Sequence, residues 1–290
     1  MNGTRLITDS ACDLPPEMTD AAGIEVLPFP YTLDGVERLD DFGRTISFED
    51  FYAALDRGAE AHTAQIPFVE YYQAFQRAYD DGLAVVLVTL SSGLSGSHDT
   101  SLLAREALLH EHPDAEIHCV DSLCASAGQG LFVLGAARRL AAGASAAELV
   151  EWLEAERLRV NHIFTVATFD HLVKGGRVSP VVAMAGAMLD IKPVMRMDAS
   201  GRLVPVKKPR GRRRAIETVA DLVAERIEGA SGEQVIVSHG DCADDAETLI
   251  ALLRQRAGVV DVVTTRIGVI IGTHTGGGVL CAYFWGRPRE

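Results

Sequence analysis

The chain has 290 residues, 48% of them hydrophobic, with a mean hydropathy of +0.12; that is enough apolar material for two domains and too much for a disordered chain. Its net charge of −13 argues against nucleic acid as a partner, because a duplex demands a basic footprint. Five cysteines without a C-x-x-C pair, no apolar signal-peptide core near Met1 and no apolar run approaching roughly 18 residues point to reduced thiols in a cytoplasm.

Residues 5–8 form a short apolar strand that runs into Thr8-Asp9-Ser10 and a proline-started helix ending near Ala22. Residues 24–31 are extended, and Asp34-Gly35 signals a hairpin. Ser47, with Asp50 three residues on, opens a helix to about Arg57. His62-Thr63-Ala64-Gln65-Ile66-Pro67 precedes an aromatic-rich helix that stops at Gly82.

Residues 85–90 are apolar, largely β-branched and uncharged, as suits a strand covered on both faces of a parallel sheet. Ser91-Ser92-Gly93-Leu94-Ser95-Gly96-Ser97 follows, and a helix begins near Ser97 or Asp99. A strand, a Gly/Ser turn and a helix bring backbone N–H groups and hydroxyls to the carboxyl edge of a sheet, where α/β proteins hold anions. A nucleophile elbow needs G-x-S-x-G, but here the second glycine directly follows Ser95. No G-x-x-x-x-G-K-[ST] phosphate cradle is present either. A hydroxyl-lined anion site and a plain turn both fit these residues.

Residues 117–120 are a further strand ending in Asp121-Ser122, and helices over 126–142 and 145–160 complete an alternating, doubly wound, mostly parallel half. The remainder reads as α+β, with a domain boundary at 160/161. A strand over 163–167 leads to a short helix and Lys174-Gly175-Gly176-Arg177. Then come a small-residue helix over 180–189, a hairpin pairing 191–197 with 203–207, and a helix over 213–228. A strand at 234–238, a helix at 244–256 and a strand at 259–266 follow; residues 268–271 lead into a glycine-rich turn holding His274, before a last strand over 279–285.

Five separated stretches, in order and spanning the chain, resemble the DegV family, which includes the fatty-acid-binding subunits of bacterial fatty acid kinase. They are Thr8-Asp9-Ser10 with Asp13-Leu14-Pro15; Thr63-Ala64-Gln65; Ser91 through Ser97; Lys174-Gly175-Gly176-Arg177-Val178-Ser179; and Ile270-Ile271-Gly272-Thr273-His274-Thr275-Gly276-Gly277-Gly278. The resemblance implies a two-domain α/β protein that buries one long-chain fatty acid between its domains. It also implies presentation of the carboxylate to a separate, dihydroxyacetone-kinase-like subunit that makes an acyl phosphate for phospholipid synthesis. The carboxylate site it implies is Thr63, Ser95, Arg177 and His274, with no metal and no cofactor beyond the bound acyl chain. Ala64, Ile66 and Gly277 stand where the family more often has Ser, Pro and Pro.

Those four residues suit the chemistry. A buried acyl tail gains roughly 0.8 kcal/mol per methylene, but its carboxylate must be hydrogen-bonded and preferably charge-matched. Two hydroxyls, an imidazole and a guanidinium fork can do this. Simpler roles also fit: Thr63 as a helix cap, Ser95 and Arg177 as turn residues, His274 as a satisfied structural histidine. A serine- or histidine-dependent transferase is the alternative function. Phe29, Ile66, Phe68, Leu94, Phe164, Met184, Met188, Leu189 and Ile191 are candidates for the tail's surroundings. The basic stretch Lys207 to Arg214 reads either as a solvated loop or as a docking site for the kinase or a transient contact with an anionic membrane surface.

Overall fold

The computed structural model describes residues 3–181, 190–229 and 234–290. Its first half contains β1 (Thr4–Asp9), α1 (Pro16–Ala21), β2 (Ile24–Leu27), β3 (Pro30–Leu33) and β4 (Val36–Leu39). These lead into α2 (Phe48–Asp56), β5 (Ala61–Thr63), α3 (Phe68–Asp80), β6 (Ala84–Thr89) and α4 (Ser97–Glu111). β7 (Ile117–Asp121), α5 (Ser126–Ala141) and α6 (Ala146–Glu156) complete it. Four strands form an all-parallel sheet in the order β2-β1-β6-β7. Every residue of β6 is buried, because its alternate side chains enter two different cores. Val86 and Val88 pack with Leu131 and Val133 of α5; Val85 and Leu87 pack with Phe75 of α3 and Leu108 of α4.

The extended stretch 24–31 is two strands. Pro28 and Pro30 lack the N–H groups that would continue a ladder, and Phe29 N instead donates to Ser10 Oγ at 3.0 Å. β3 and β4 form the hairpin expected at Asp34-Gly35, and β5 adds a third strand that sequence reasoning missed. Three residues are too few to show a period-2 pattern. Thr63 therefore pairs with Tyr31 in a sheet, and the cap of α3 is Pro67.

The second half is an α+β domain. It comprises β8 (Val160–Thr165), α7 (Asp170–Lys174), β9 (Val194–Met197), β10 (Leu203–Lys207) and α8 (Arg212–Arg226). β11 (Val235–His239), α9 (Ala243–Ala257), β12 (Val262–Arg266), α10 (Val269–Thr275) and β13 (Leu280–Trp285) follow. The six-stranded sheet has the order β10-β9-β8-β13-β11-β12 and is antiparallel except between β11 and β12. The helix expected over 180–189, with Met184, Met188 and Leu189, falls almost wholly outside the described residues. Among the described residues no helix is long and apolar enough to cross a membrane.

The two sheets share a core. Leu6 and Val86 of the first belong to one buried cluster with Phe164, Met195, Ile236 and Trp285 of the second, and α5 lies between them. The turn after β6 is clamped onto the β9–β10 hairpin, where Ser91 Oγ donates to Gly201 O at 2.8 Å. Gly201 has φ +71°, and an added Cβ would overlap Ser91 Oγ, so only glycine serves there.

α10 corrects the sequence reading of a glycine-rich turn. Val269, Ile270 and Ile271 have poor helix propensity, but contacts from the first half impose the helix. Asp13 Oδ1 accepts from Gly268 N, the cap residue, at 3.0 Å, and Asp13 Oδ2 accepts from the Ser126 hydroxyl. Tyr52 OH donates to Ile267 O at 2.9 Å. Val269 and Ile270 are buried in the first half's core.

The carboxyls beside this anchor are buried at a cost. Burial pushes Asp9 up to about 7 and Asp40 up to about 6, and raises Asp13 well above the usual range; Asp40 also raises Asp9 and Asp13, and Asp9 raises Asp13. A carboxyl whose folded pKa is raised stabilises the fold while protonated and loses that contribution as pH climbs from its unfolded to its folded pKa. Asp40→Asn should therefore gain on wild type by on the order of 3 kcal/mol as pH rises from about 4 to about 6, then run parallel to it. Chemical denaturation at a series of pH values reads this directly; a constant difference would show that Asp40 is not held protonated by burial.

Candidate functional site

A cavity of about 180 Å³ lies between the two sheets. Its walls are mostly apolar: Phe29, Leu90 and Leu94 from the first half, and Phe164, Met197 and Ile270 from the second. Thr63, Ser95, Arg177 and His274 all line this cavity, although they lie on β5, the β6–α4 turn, the loop after α7 and α10. A second, polar chamber of about 160 Å³ is lined by three of the same residues. Thr63, Arg177 and His274 line both, so they form the partition; Ser95 faces only the apolar side.

The partition is hydrogen-bonded across the seam. His274 Nε2 lies 2.8 Å from Thr63 Oγ1. Its Nδ1 is buried without a hydrogen-bond partner and sits against Gly175, where an added Cβ would overlap the ring. Burial pushes His274 down to about 4, and the nearby Arg177, His171 and His62 push the same way. The ring is thus neutral at neutral pH, with one N–H to give. A proton on Nε2 donates to Thr63 and frees the threonine hydroxyl to donate onward into the cavity.

Arg177 is half-buried. Its Nε donates to Leu94 O at 3.0 Å and its Nη1 to Gly175 O, so two of five N–H groups tie the Ser/Gly turn to the KGGR loop. Burial lowers its pKa, but a guanidinium stays charged. Ser95 Oγ accepts from Ser97 N at 3.2 Å and donates to Ser97 Oγ at 3.0 Å, so it has a turn role as well as a place on the cavity wall. Ser95 and His274 share no hydrogen bond, and the imidazole is engaged by Thr63.

Of the apolar candidates, Phe29, Leu94 and Phe164 line the cavity. Ile66 is fully buried core, Phe68 is 42% exposed, and Ile191 forms a bridge with Arg210 away from the cavity. Sequence reasoning missed Leu90, Met197, Ile270, Ile271 and Tyr283. Each sits in an element whose side chains alternate or rotate between core and cavity, and no local pattern marks the difference. His162 was missed too; a histidine amid the buried apolar run of β8 was the available signal. The remaining hydroxyls and carboxylates of the sheet edge are spent internally: Leu90 N donates to Asp9 at 2.7 Å, and Ser92 N to Asp121 at 3.1 Å.

The basic stretch runs from the end of β10 into the start of α8. Arg212 pairs with Asp245 at 2.7 Å and Arg213 with Glu217 at 3.1 Å, both in the first turn of α8.

The DegV family model matches residues 4–286 of the sequence. The chain belongs to the DegV family. It is 35% identical over 285 residues to a DegV domain-containing protein of Clostridium perfringens, covering 98% of each chain. Its fold is similar to that of a DegV lipid-binding protein from Thermotoga maritima, with a TM-score of 0.86 at 27% identity, covering 99% of this chain and 100% of the other. A fatty-acid-binding DegV protein from Thermus thermophilus superposes with a TM-score of 0.87 at 26% identity, covering 98% and 100%. These DegV relatives share the architecture of two sheets.

In a proton NMR titration the His274 C2–H resonance should show a midpoint near 4 rather than the usual 6.5. Gly175→Ala, which forces the ring out of its seat, should move that midpoint up toward the ordinary value. A midpoint near 6.5 in the unaltered protein would mean the ring is solvated.

Proposed function

We propose that this DegV protein binds a single long-chain fatty acid, with its tail in the apolar cavity and its carboxylate at the partition formed by Thr63, Arg177 and His274 with Ser95 beside them. The observation that carries this reading is the meeting of those polar groups at an apolar cavity between two sheets. The fatty-acid-binding relative from Thermus thermophilus supports it.

Physical chemistry requires both parts of the site. The tail supplies roughly 0.8 kcal/mol per buried methylene. The head group loses water and needs donors. Arg177 supplies charge, while Ser95 and Thr63 supply hydroxyl donors. His274 acts through Thr63: its N–H holds the threonine oxygen, so the threonine proton points at the carboxylate. With a domain boundary near residue 160, as the sequence reading expects, the ligand has one sheet on each side.

The protein serves as a carrier and co-substrate rather than an enzyme in its own right. A separate kinase holds a nucleoside triphosphate. A carboxylate oxygen attacks its terminal phosphorus, the acyl phosphate P–O bond forms, and the bond to the departing nucleoside diphosphate breaks. The exposed Arg213 and Arg214 at the start of α8 belong to the surface that meets the kinase or an anionic membrane.

Denaturing the purified protein and extracting lipid should release one acyl chain per protein, identified by mass spectrometry. Arg177→Met should weaken fatty acid binding by about tenfold to a hundredfold, since a charged hydrogen bond to a buried carboxylate is lost. Thr63→Val should cost about tenfold. Calorimetric titration with palmitate measures both; unaltered affinity in both variants would remove the carboxylate from this partition.

A further inference from the structure

A second buried histidine lines the apolar cavity and takes no part in the carboxylate partition. His162 lies in the middle of β8. Side chains alternate between the two faces of its sheet. Ile163 of β8, with Leu280, Ala282 and Phe284 of β13, enters the core shared with α8 and α9. His162, Phe164, Cys281 and Tyr283 therefore take the opposite face and line the cavity. A hydrocarbon tail has no use for an imidazole and a phenol in its wall.

The ring's hydrogen bonds show what it has left to give. Ala125 N donates to His162 Nε2 at 3.1 Å, so Nε2 carries no proton. The ring is seated against α5, where an added Cβ on Gly128 would overlap Nε2. Burial, helped by the charge of Arg289, holds the ring well below the usual histidine range, so it is neutral with its one proton on Nδ1. The Val160 carbonyl lies nearby, but Nδ1 is buried without a hydrogen-bond partner. Nε2 thus has a structural task at the start of α5, and the Nδ1 proton has none. A buried donor left over in this way calls for an acceptor.

Beside it, the Tyr283 ring meets His162 edge-on, with centroids 5.3 Å apart. The Tyr283 hydroxyl is next to Ser126 and Cys281. Ser126 gives its own proton to Asp13, so Tyr283 can donate to the Ser126 oxygen and still accept a hydrogen bond. A free donor and a free acceptor side by side match one hydroxyl group, which both accepts and donates. Burial keeps His162 and Tyr283 uncharged, so the pair does not suit a second carboxylate.

Their place in the sheet says where on the ligand that hydroxyl sits. Thr165, the last residue of β8, pairs with Leu280, the first of β13. From this edge the chain leaves toward Arg177, and to it the chain returns from His274. His162 and Tyr283 pair three residues further in, roughly 10 Å along the strands. The middle of an acyl chain, not its head, passes them.

We infer that His162 and Tyr283 form a specificity subsite for a mid-chain hydroxyl, so that the cavity takes hydroxylated acyl chains in preference to plain ones. The inference rests on the fatty-acid reading above and narrows its ligand class.

Displacement of a fluorescent fatty acid by stearate, 10-hydroxystearate and 12-hydroxystearate tests it. Unaltered protein should bind at least one hydroxystearate about threefold to tenfold more tightly than stearate, the yield of a neutral hydrogen bond. His162→Phe should bring that ratio to about one, whatever it does to stearate itself. Tyr283→Phe, which keeps the ring and removes the accepting oxygen, should at least roughly halve the ratio; it decides the matter if His162→Phe does not fold. No preference for either hydroxystearate, or a preference that persists undiminished in the folded variants, would overturn the inference. A protein that takes up neither the fluorescent probe nor any of the three acids would overturn the fatty-acid reading instead.

Discussion

The hydrogen bond between Thr63 and His274 joins residues 211 positions apart and closes the seam between the two sheets. Neither partner would be placed without its own support. Thr63 is fixed by pairing with Tyr31 on β3, and His274 by the short helix that Asp13 and Tyr52 anchor from the first half. The imidazole is buried, crowded by cations and neutral, a state unfavourable for an isolated histidine but suited to a fixed donor.

Burial of charge is the recurring difficulty in this molecule, and the chain meets it differently on each side of the seam. In the first half, Asp9, Asp13 and Asp40 are buried and biased toward their protonated forms, and Asp9 and Asp13 use their carboxyls to hold the Leu90 and Gly268 N–H groups. At the partition, the buried groups are basic and line two cavities. The acids organise backbone; the bases face ligand space. Arg177 does some of both, spending two N–H groups on the loops that carry Leu94 and Gly175.

Much of the first half was legible in the sequence. The uncharged run of β6 announced a strand buried on two faces, and the capping box at Ser145 and Glu148 forms as expected at the start of α6. Short or tertiary-imposed elements were not legible. β5 is three residues long, and α10 begins with β-branched residues that argue for a strand. Its helix exists because contacts from more than 200 residues away repay a weak local preference, such as Tyr52 OH to Ile267 O.

The sequence by itself determined the kinds of group available: hydroxyls after β6, a guanidinium between glycines, an imidazole among threonines, and apolar strands to bury. It also determined that no nucleophile elbow surrounds Ser95. Only the tertiary structure decided that Thr63, Arg177 and His274 together line both an apolar cavity and a polar chamber. The physical reason is that cavities are bounded by side chains from distant elements, and whether a residue faces core, cavity or solvent depends on how two sheets pack, which no local periodicity records.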